Sequence, residues 1–242
     1  MTRVLLGTSL DAAAAGSTIE VSGGELHYLK NVRRHVAGDT VQVFDKSGNA
    51  FETEIVQIDG KLATLSLKQR ISNLAEPTAI HILTAVPREK ILDDVVRKLS
   101  ELGVDRLTPI ICERSSVVPG THRVERWQRI AEQSMRQCRR RRVLEIGVPC
   151  GLQQALGELQ ATHRFILHPT GDVPGGALLS ERFSGDMALL IGPEGGFSDA
   201  EVTLATEHLF RAMRLGGAIL RMETAILVAA VFGIATLGGY DS

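Results

Sequence analysis

Three clusters in this 242-residue chain bring together side chains whose types and spacing could do chemistry. The first is Gly192-Pro-Glu-Gly-Gly196, set between an apolar run, Met187-Ala-Leu-Leu-Ile191, and Ser198-Asp-Ala-Glu201. Its glycines let backbone approach a ligand that a Cβ would block. The turn lacks both the Gly-Lys-Ser/Thr ending of a P-loop and the spacing of a dinucleotide fingerprint. Glu194 disfavours a phosphate ligand there and suits a cationic ligand or a proton transfer. A tight turn without a ligand is the alternative. The second cluster is Leu215-Gly-Gly-Ala-Ile-Leu-Arg-Met-Glu-Thr224. Gly216 and Gly217 admit close backbone approach, and Arg221, Glu223 and Thr224 gather at a helix start. Glu223 is favourable there in any case, and a capping cluster without chemistry is the alternative. The third is Gln137-Cys-Arg-Arg-Arg-Arg142. Arginines suit the negative end of a helix dipole, but four in a row exceed what capping needs. Guanidinium forks match phosphates and stack on bases. Lys30, Arg33 and Arg34 are candidates to extend that surface. His168, before Pro169, reads as a structural histidine rather than a base.

These clusters need elements to hold them. Met187 to Ile191 reads as a buried strand of a parallel sheet. Ser198 with Glu201 three residues on is a capping box, so a helix begins at about Asp199. A glycine-rich loop between a strand end and a helix is where open α/β sheets bind nucleotides and cofactors. Strands are predicted at 79–86, 106–112, 164–167, 187–191 and 210–215. Helices are predicted at 90–102, 124–137, 200–208 and 224–237. The helix at 124–137 places Trp127, Ile130 and Ser134 on one face. Alternation of strand and helix argues an α/β domain with a mostly parallel sheet. Residues 1 to about 72 are β-rich instead. Thr40–Phe44 and 51–58 alternate, Asp59-Gly60 is a two-residue hairpin signal, and 62–67 returns. Short strands at this spacing form a small barrel. A short helix with a basic end is predicted at 25–34. The polar stretch Ser72-Asn-Leu-Ala-Glu-Pro77 is the linker, dividing the chain into domains 1–72 and 73–242.

Net charge is −1, so the whole-chain balance names no polyanionic partner, but the distribution does. Residues 106–142 hold ten arginines, no lysine and three acids. Residues 184–242 hold seven acids against three arginines. A local basic surface is consistent with nucleic-acid binding, and a solvated helix face is the plainer reading. Cys112, Cys138 and Cys150 lack CxxC spacing, which indicates structural thiols in a reducing compartment and no metal site. The N-terminus lacks a signal-peptide pattern, so a cytoplasmic protein is expected. The apolar stretch 225–237 is too short to span a bilayer and reads as a buried helix, with no membrane partner.

The ordered motifs resemble the RsmE-type 16S rRNA (uridine-N3)-methyltransferases of the SPOUT superfamily, over nearly the whole chain. Leu190-Ile-Gly-Pro-Glu-Gly-Gly-Phe-Ser198 is similar to the family signature. Leu215-Gly-x-x-Ile-Leu-Arg221 with Glu223-Thr-Ala225 is similar to its second motif. Lys98-x-x-Glu101-Leu-Gly-Val104, Arg114-Ser115, and Trp127 through Gln137 to Arg140 fit the middle section. His27-Tyr-Leu, Arg33 and Gly38-Asp39 fit the N-terminal module. Four positions depart from the pattern: Ala218 for an arginine, Met222 for a threonine, Leu144 for a proline and Arg34 for an apolar residue.

The resemblance implies a PUA-like N-terminal barrel and a C-terminal SPOUT domain with a deep trefoil knot, which periodicity cannot show. It implies S-adenosylmethionine as cofactor, transfer of its methyl group to uridine N3 of 16S rRNA in the small subunit, and a homodimer packed through the C-terminal helix. The implied cofactor residues are Leu167, His168, Leu190, Ile191, Gly192, Pro193, Glu194, Gly195, Gly196, Leu215, Gly216, Gly217, Ile219, Leu220, Arg221 and Thr224. Arg221, Glu194 and Glu223 are the catalytic candidates. Arg33, Arg34, Arg114, Arg136, Gln137, Arg139, Arg140, Arg141 and Arg142 are the RNA-binding candidates. Ribose 2′-O methylation is disfavoured by the missing Asn-x-Gly motif, and a nicotinamide enzyme by the missing G-x-G-x-x-G. An RNA-binding ribosome-assembly factor without methyl transfer is the alternative from another class.

Overall fold

The computed structural model describes residues 1–71, 79–87, 91–138, 140 and 142–237. The expected linker, the 72/73 boundary, Arg139 and Arg141 lie outside them. The chain divides into two compact units, Met1–Ala75 with Met135–Val143, and Glu76–Ser134 with Leu144–Ser242.

In the first unit, strands β1 (Arg3–Leu5) and β2 (Thr18–Val21) precede a short helix α1 (Gly23–His27) and a π-helical turn, Tyr28–Val32. Strands β3 (Thr40–Phe44), β4 (Ala50–Ile58) and β5 (Ala63–Ile71) follow. The five strands form one curled sheet in the order β1-β3-β4-β5-β2. Alternate residues of its strands, among them Val41, Val43, Ile55, Leu65 and Leu67, are fully buried in a single core with Leu29. Each such side chain contributes about 2 kcal/mol of hydrophobic stabilisation. The β4–β5 connection departs from the two-residue hairpin expected at Asp59-Gly60. Ile58 pairs with Ala63, so four residues form the loop. The Asp59 carboxylate explains this: it accepts from the backbone N–H groups of Lys61 (2.7 Å) and Leu62 (2.9 Å), an Asx turn that widens the connection.

The second unit carries β6 (Ile80–Ala85), α2 (Ile91–Leu102), β7 (Arg106–Ile111), α3 (Thr121–Cys138, of which the last four residues belong to the first unit), β8 (Glu145–Ile146), β9 (Cys150–Gly151) and α4 (Leu152–Gly157). It continues with β10 (His163–Leu167), β11 (Val173–Pro174), α5 (Gly175–Leu178), β12 (Met187–Ile191), α6 (Asp199–Glu207), β13 (Arg211–Arg214) and α7 (Met222–Thr236). Its eight-stranded sheet runs β11-β13-β10-β12-β6-β7-β8, with β9 also paired to β7. Every pairing is parallel. All five residues of β12 are buried, as its unbroken apolar run requires of a central parallel strand. Gly233 inside α7 would destabilise an isolated helix by about 1 kcal/mol relative to alanine. Here a Cβ at Gly233 would lie 3.2 Å from Ile80 and 3.3 Å from Leu189, so the glycine seats α7 tightly against β6 and β12. No helix among the described residues is long and apolar enough to cross a membrane.

Leu209, just after α6, sits at φ +66°, a left-handed conformation that favours glycine, and is 76% exposed. Its strain closes the helix, because Phe210 N–H then reaches Ala205 C=O at 2.9 Å. Leu209→Gly is expected to raise unfolding free energy by about 1 kcal/mol in a urea titration, since it removes the Cβ clash and loses little burial. His81 on β6 hydrogen-bonds Thr108 Oγ1 through Nε2 at 2.8 Å. Burial, aided by the Arg106 charge, lowers its pKa to about 4. The unfolded chain therefore binds a proton between about pH 6.5 and 4 that the folded chain does not, so stability falls as pH drops through that window. The decline amounts to a few kcal/mol, about 1.4 per pKa unit, and His81→Gln should flatten it in unfolding measured from pH 7 to 4.

Candidate active site

The loops following β10, β12 and β13 converge at the C-terminal ends of three adjacent parallel strands. They enclose a cavity of about 440 Å³. That size lies within the roughly 300–1,000 Å³ of small-molecule sites, and the place is where α/β sheets bind ligands.

The turn at 192–196 forms one wall. Gly196 N–H bonds to Pro193 C=O at 2.8 Å, leaving Glu194 and Gly195 at the tip. Gly196 then takes φ +71°, which a side chain would oppose. The chain folds back so closely that a Cβ on Gly192 would lie 3.0 Å from the buried Phe197 ring. The capping box follows as expected: Ser198 Oγ accepts from Glu201 N–H and Glu201 Oε2 accepts from Ser198 N–H at 2.9 Å. Glu201 does more than cap. Its Oε1 accepts from Glu113 N–H at 2.8 Å, fastening the loop after β7 to the start of α6. Burial, with Glu201 alongside, pushes the Cys112 thiol up to about 12, so it stays protonated and is no nucleophile.

The second wall comes from Leu167 to Thr170, where His168 N–H bonds to Met213 C=O at 3.0 Å and His168 Nδ1 meets Thr170 Oγ1 at 3.0 Å. The third comes from Met213 to Gly216 and Ala218 to Leu220, with Met222 and Ala225 of α7.

Of the residues expected to surround a cofactor, Leu167, His168, Ile191, the five residues of the 192–196 turn, Leu215, Gly216, Ile219 and Leu220 line this one cavity. Leu190, Gly217, Arg221 and Thr224 are not among its lining residues. Leu190 is buried in β12, while Arg221 is exposed at the N-cap position of α7 between the lining residues Leu220 and Met222. Glu194 lines the cavity, and Glu223 sits in the first turn of α7. Sequence reasoning did not assign Arg114, Thr170, Phe197, Met213, Arg214, Met222 or Ala225 to the wall. The two motif departures, Ala218 and Met222, both contribute to it.

Among the described residues, several arginines of the 106–142 window are held in ion pairs. Arg126 pairs with Asp93 of α2 at 2.6 Å, and Arg106 with Glu145 at 3.5 Å. Arg136 pairs with Glu25 of α1 inside the first unit, where Met135 and Val143 pack with Leu5, Phe44, Ala50 and Ile71. Arg114 lies against the 192–196 turn. Gln137, Arg33, Arg34 and Arg142 are exposed and Arg140 is half-buried. Arg33 reaches Tyr28 Oη at 2.8 Å with its guanidinium 5.4 Å from the ring centre, and Arg34 holds φ +57°.

Comparisons with known proteins find two matching domain families. The RNA methyltransferase domain family matches residues 74–232, and the RNA methyltransferase PUA domain family matches residues 21–68. The chain is 28% identical over 218 residues to ribosomal RNA small subunit methyltransferase E of a Synechocystis species, covering 88% of this chain and 71% of that one. It is 29% identical to the enzyme of the same name from Buchnera aphidicola, covering 87% of each. The crystal structure of ribosomal RNA small subunit methyltransferase E from Neisseria gonorrhoeae bound to S-adenosyl methionine superimposes with a TM-score of 0.83. That match is 27% identical and covers 96% of this chain and 95% of the other.

Proposed function

The chain belongs to the RNA methyltransferase family, and from that premise we propose that it transfers the methyl group of S-adenosylmethionine to N3 of a uridine in 16S rRNA. The observation that carries the reading is the single cavity built from the three loops at 167–170, 192–197 and 213–220. Its walls fit the cofactor. Ile191, Leu215, Leu220 and Met222 offer apolar faces for an adenine ring. The peptide groups of the Gly-rich turn offer close donors and acceptors, and Glu194 tolerates a cationic sulfonium.

When bound, the cofactor supplies an electrophilic methyl group. The protein's own task is the uridine, whose N3 proton titrates well above neutral pH. A carboxylate must accept that proton, or a cation must hold the uracil charge that develops. Glu194 is the better-placed acceptor because it lines the cavity, whereas Glu223 is accounted for by the dipole of α7. Arg221 holds the uracil charge. Gln137, Arg140 and Arg142, with Arg139 and Arg141, bind phosphate, and Arg33 and Arg34 extend that contact on the PUA-like unit. The target base has to leave its stack to reach the cavity. A homodimer through α7 belongs to the same reading. That helix is apolar on all sides, and Val228 and Val231 remain 37% and 43% exposed. A trefoil knot in the C-terminal domain and a cytoplasmic location, where small subunits are assembled, complete it.

Incubating the purified chain with labelled S-adenosylmethionine and small ribosomal subunits lacking the modification tests the reading. Label in 16S rRNA that digests to N3-methyluridine is expected. Label-free RNA with intact RNA binding would favour an assembly factor instead.

A further inference from the structure

Arg114 takes a position different from the one its neighbours in sequence advertise. It lies within the arginine-rich window, yet its Nη1 donates to Gly195 C=O at 2.9 Å and approaches Phe197 C=O at 3.5 Å. Its aliphatic stem lies against Gly195, with Cδ 3.4 Å from where a Cβ would stand. It thus touches the cavity turn by both its stem and its guanidinium.

The loop that carries Arg114 is itself fixed. Cys112 N–H donates to Ser115 Oγ at 2.9 Å, and Ser115 N–H donates to Cys112 C=O at 3.0 Å. Glu113 N–H donates to Glu201 Oε1 at 2.8 Å. Glu201, only 9% exposed, holds Ser198 N–H with its other oxygen. The two contacts form a closed clamp. Arg114 grips the turn at Gly195, and Glu201 grips both the Arg114 loop and the residue following Phe197. A clamp of this kind keeps the backbone of the turn in one arrangement before a ligand arrives, which lowers the ordering cost of binding.

We infer that Arg114 and Glu201 are positioning residues that hold the 192–197 turn in its cofactor-binding shape, and that Arg114 is not an RNA ligand. This rests on the methyltransferase reading. The role acts through backbone carbonyl and N–H groups, so it predicts a separation between cofactor and RNA affinity. Arg114→Ala removes a charge-assisted hydrogen bond and should raise the S-adenosylmethionine Kd about tenfold. Arg114→Lys keeps one donor and should recover part of the loss. Glu201→Gln replaces one accepting oxygen by an NH2 group, which faces a backbone N–H and should weaken cofactor binding in the same direction.

The test is calorimetry of the full chain with S-adenosylmethionine, beside filter binding of 16S rRNA across a salt series. The expected result is weaker cofactor binding in all three variants, in the order Ala weaker than Lys, with rRNA affinity and its salt slope unchanged. Wild-type cofactor affinity in Arg114→Ala, with lower rRNA affinity and a salt slope smaller by about one, would overturn the inference in favour of a phosphate contact. Arg114→Lys and Glu201→Gln keep the comparison available if the alanine variant does not fold. A wild-type chain that binds no S-adenosylmethionine would instead overturn the methyltransferase reading beneath it.

Discussion

Arg221→Ala is expected to lower the single-turnover rate of methyl transfer by about 100- to 1,000-fold while leaving the S-adenosylmethionine Kd within about twofold. Arg221 is exposed and is not among the cavity-lining residues, although Leu220 and Met222 on either side of it are. Its side chain makes no cap hydrogen bond to α7. A guanidinium in that place is available to a base presented at the cavity mouth, and it is little used in holding a cofactor inside. Loss should therefore fall on the chemical step, where charge develops on uracil, rather than on cofactor affinity. Arg221→Lys retains the charge without the planar fork and should lie between the two. Single-turnover kinetics with small subunits, beside calorimetry with the cofactor, separate the two quantities. An unchanged rate removes Arg221 from the mechanism. A large rise in Kd with an unchanged rate makes it a cofactor ligand.

Gly192→Val should have the opposite signature. A Cβ at Gly192 meets two carbons of the Phe197 ring at 3.0 Å. Phe197 is only 5% exposed, so the ring has no solvent-side space to yield into. The valine methyls add to that overlap, and overpacking of this kind destabilises by about 1–3 kcal/mol. The turn must open, and the Gly195 and Phe197 carbonyls leave Arg114. Cofactor affinity is expected to fall by about 100-fold, equivalent to roughly 3 kcal/mol, with rRNA affinity retained. Gly176→Ala is a suitable control, because a Cβ there meets nothing within 4 Å. Calorimetry on both variants checks this. Wild-type affinity in Gly192→Val would mean that the turn does not face the cofactor.

Much of the site was legible in the sequence because its signals are local. The β12 run, the glycine turn and the capping box occupy fifteen consecutive positions, 187–201, and each obeys a short-range rule. The second loop carried the same kind of signal, and both loops line one cavity. The parallel sheet followed from alternating strand and helix periodicity. The two-residue strands β8, β9 and β11 gave no such signal, since a period cannot show in two residues.

The remaining features are long-range. Arg114 meets Gly195 across 81 positions, and Glu201 meets Glu113 across 88. No spacing rule connects such pairs. Arg136, an RNA-binding candidate by the resemblance, has Glu25, 111 positions away, as an ion-pair partner, and spacing gives no sign of it either. Asp59 misled for a local reason: an Asp-Gly pair favours a tight hairpin, but here the aspartate side chain accepts from the N–H groups of Lys61 and Leu62 and sets a longer loop.

The activity proposed for this cavity is methylation of a small-subunit rRNA uridine at N3. Mass spectrometry of 16S rRNA nucleosides, from cells with and without the gene, tests it most directly. N3-methyluridine is expected to disappear without the gene and to return when the wild-type gene, but not the Arg221→Ala gene, is restored. Equal N3-methyluridine in cells with and without the gene would contradict it.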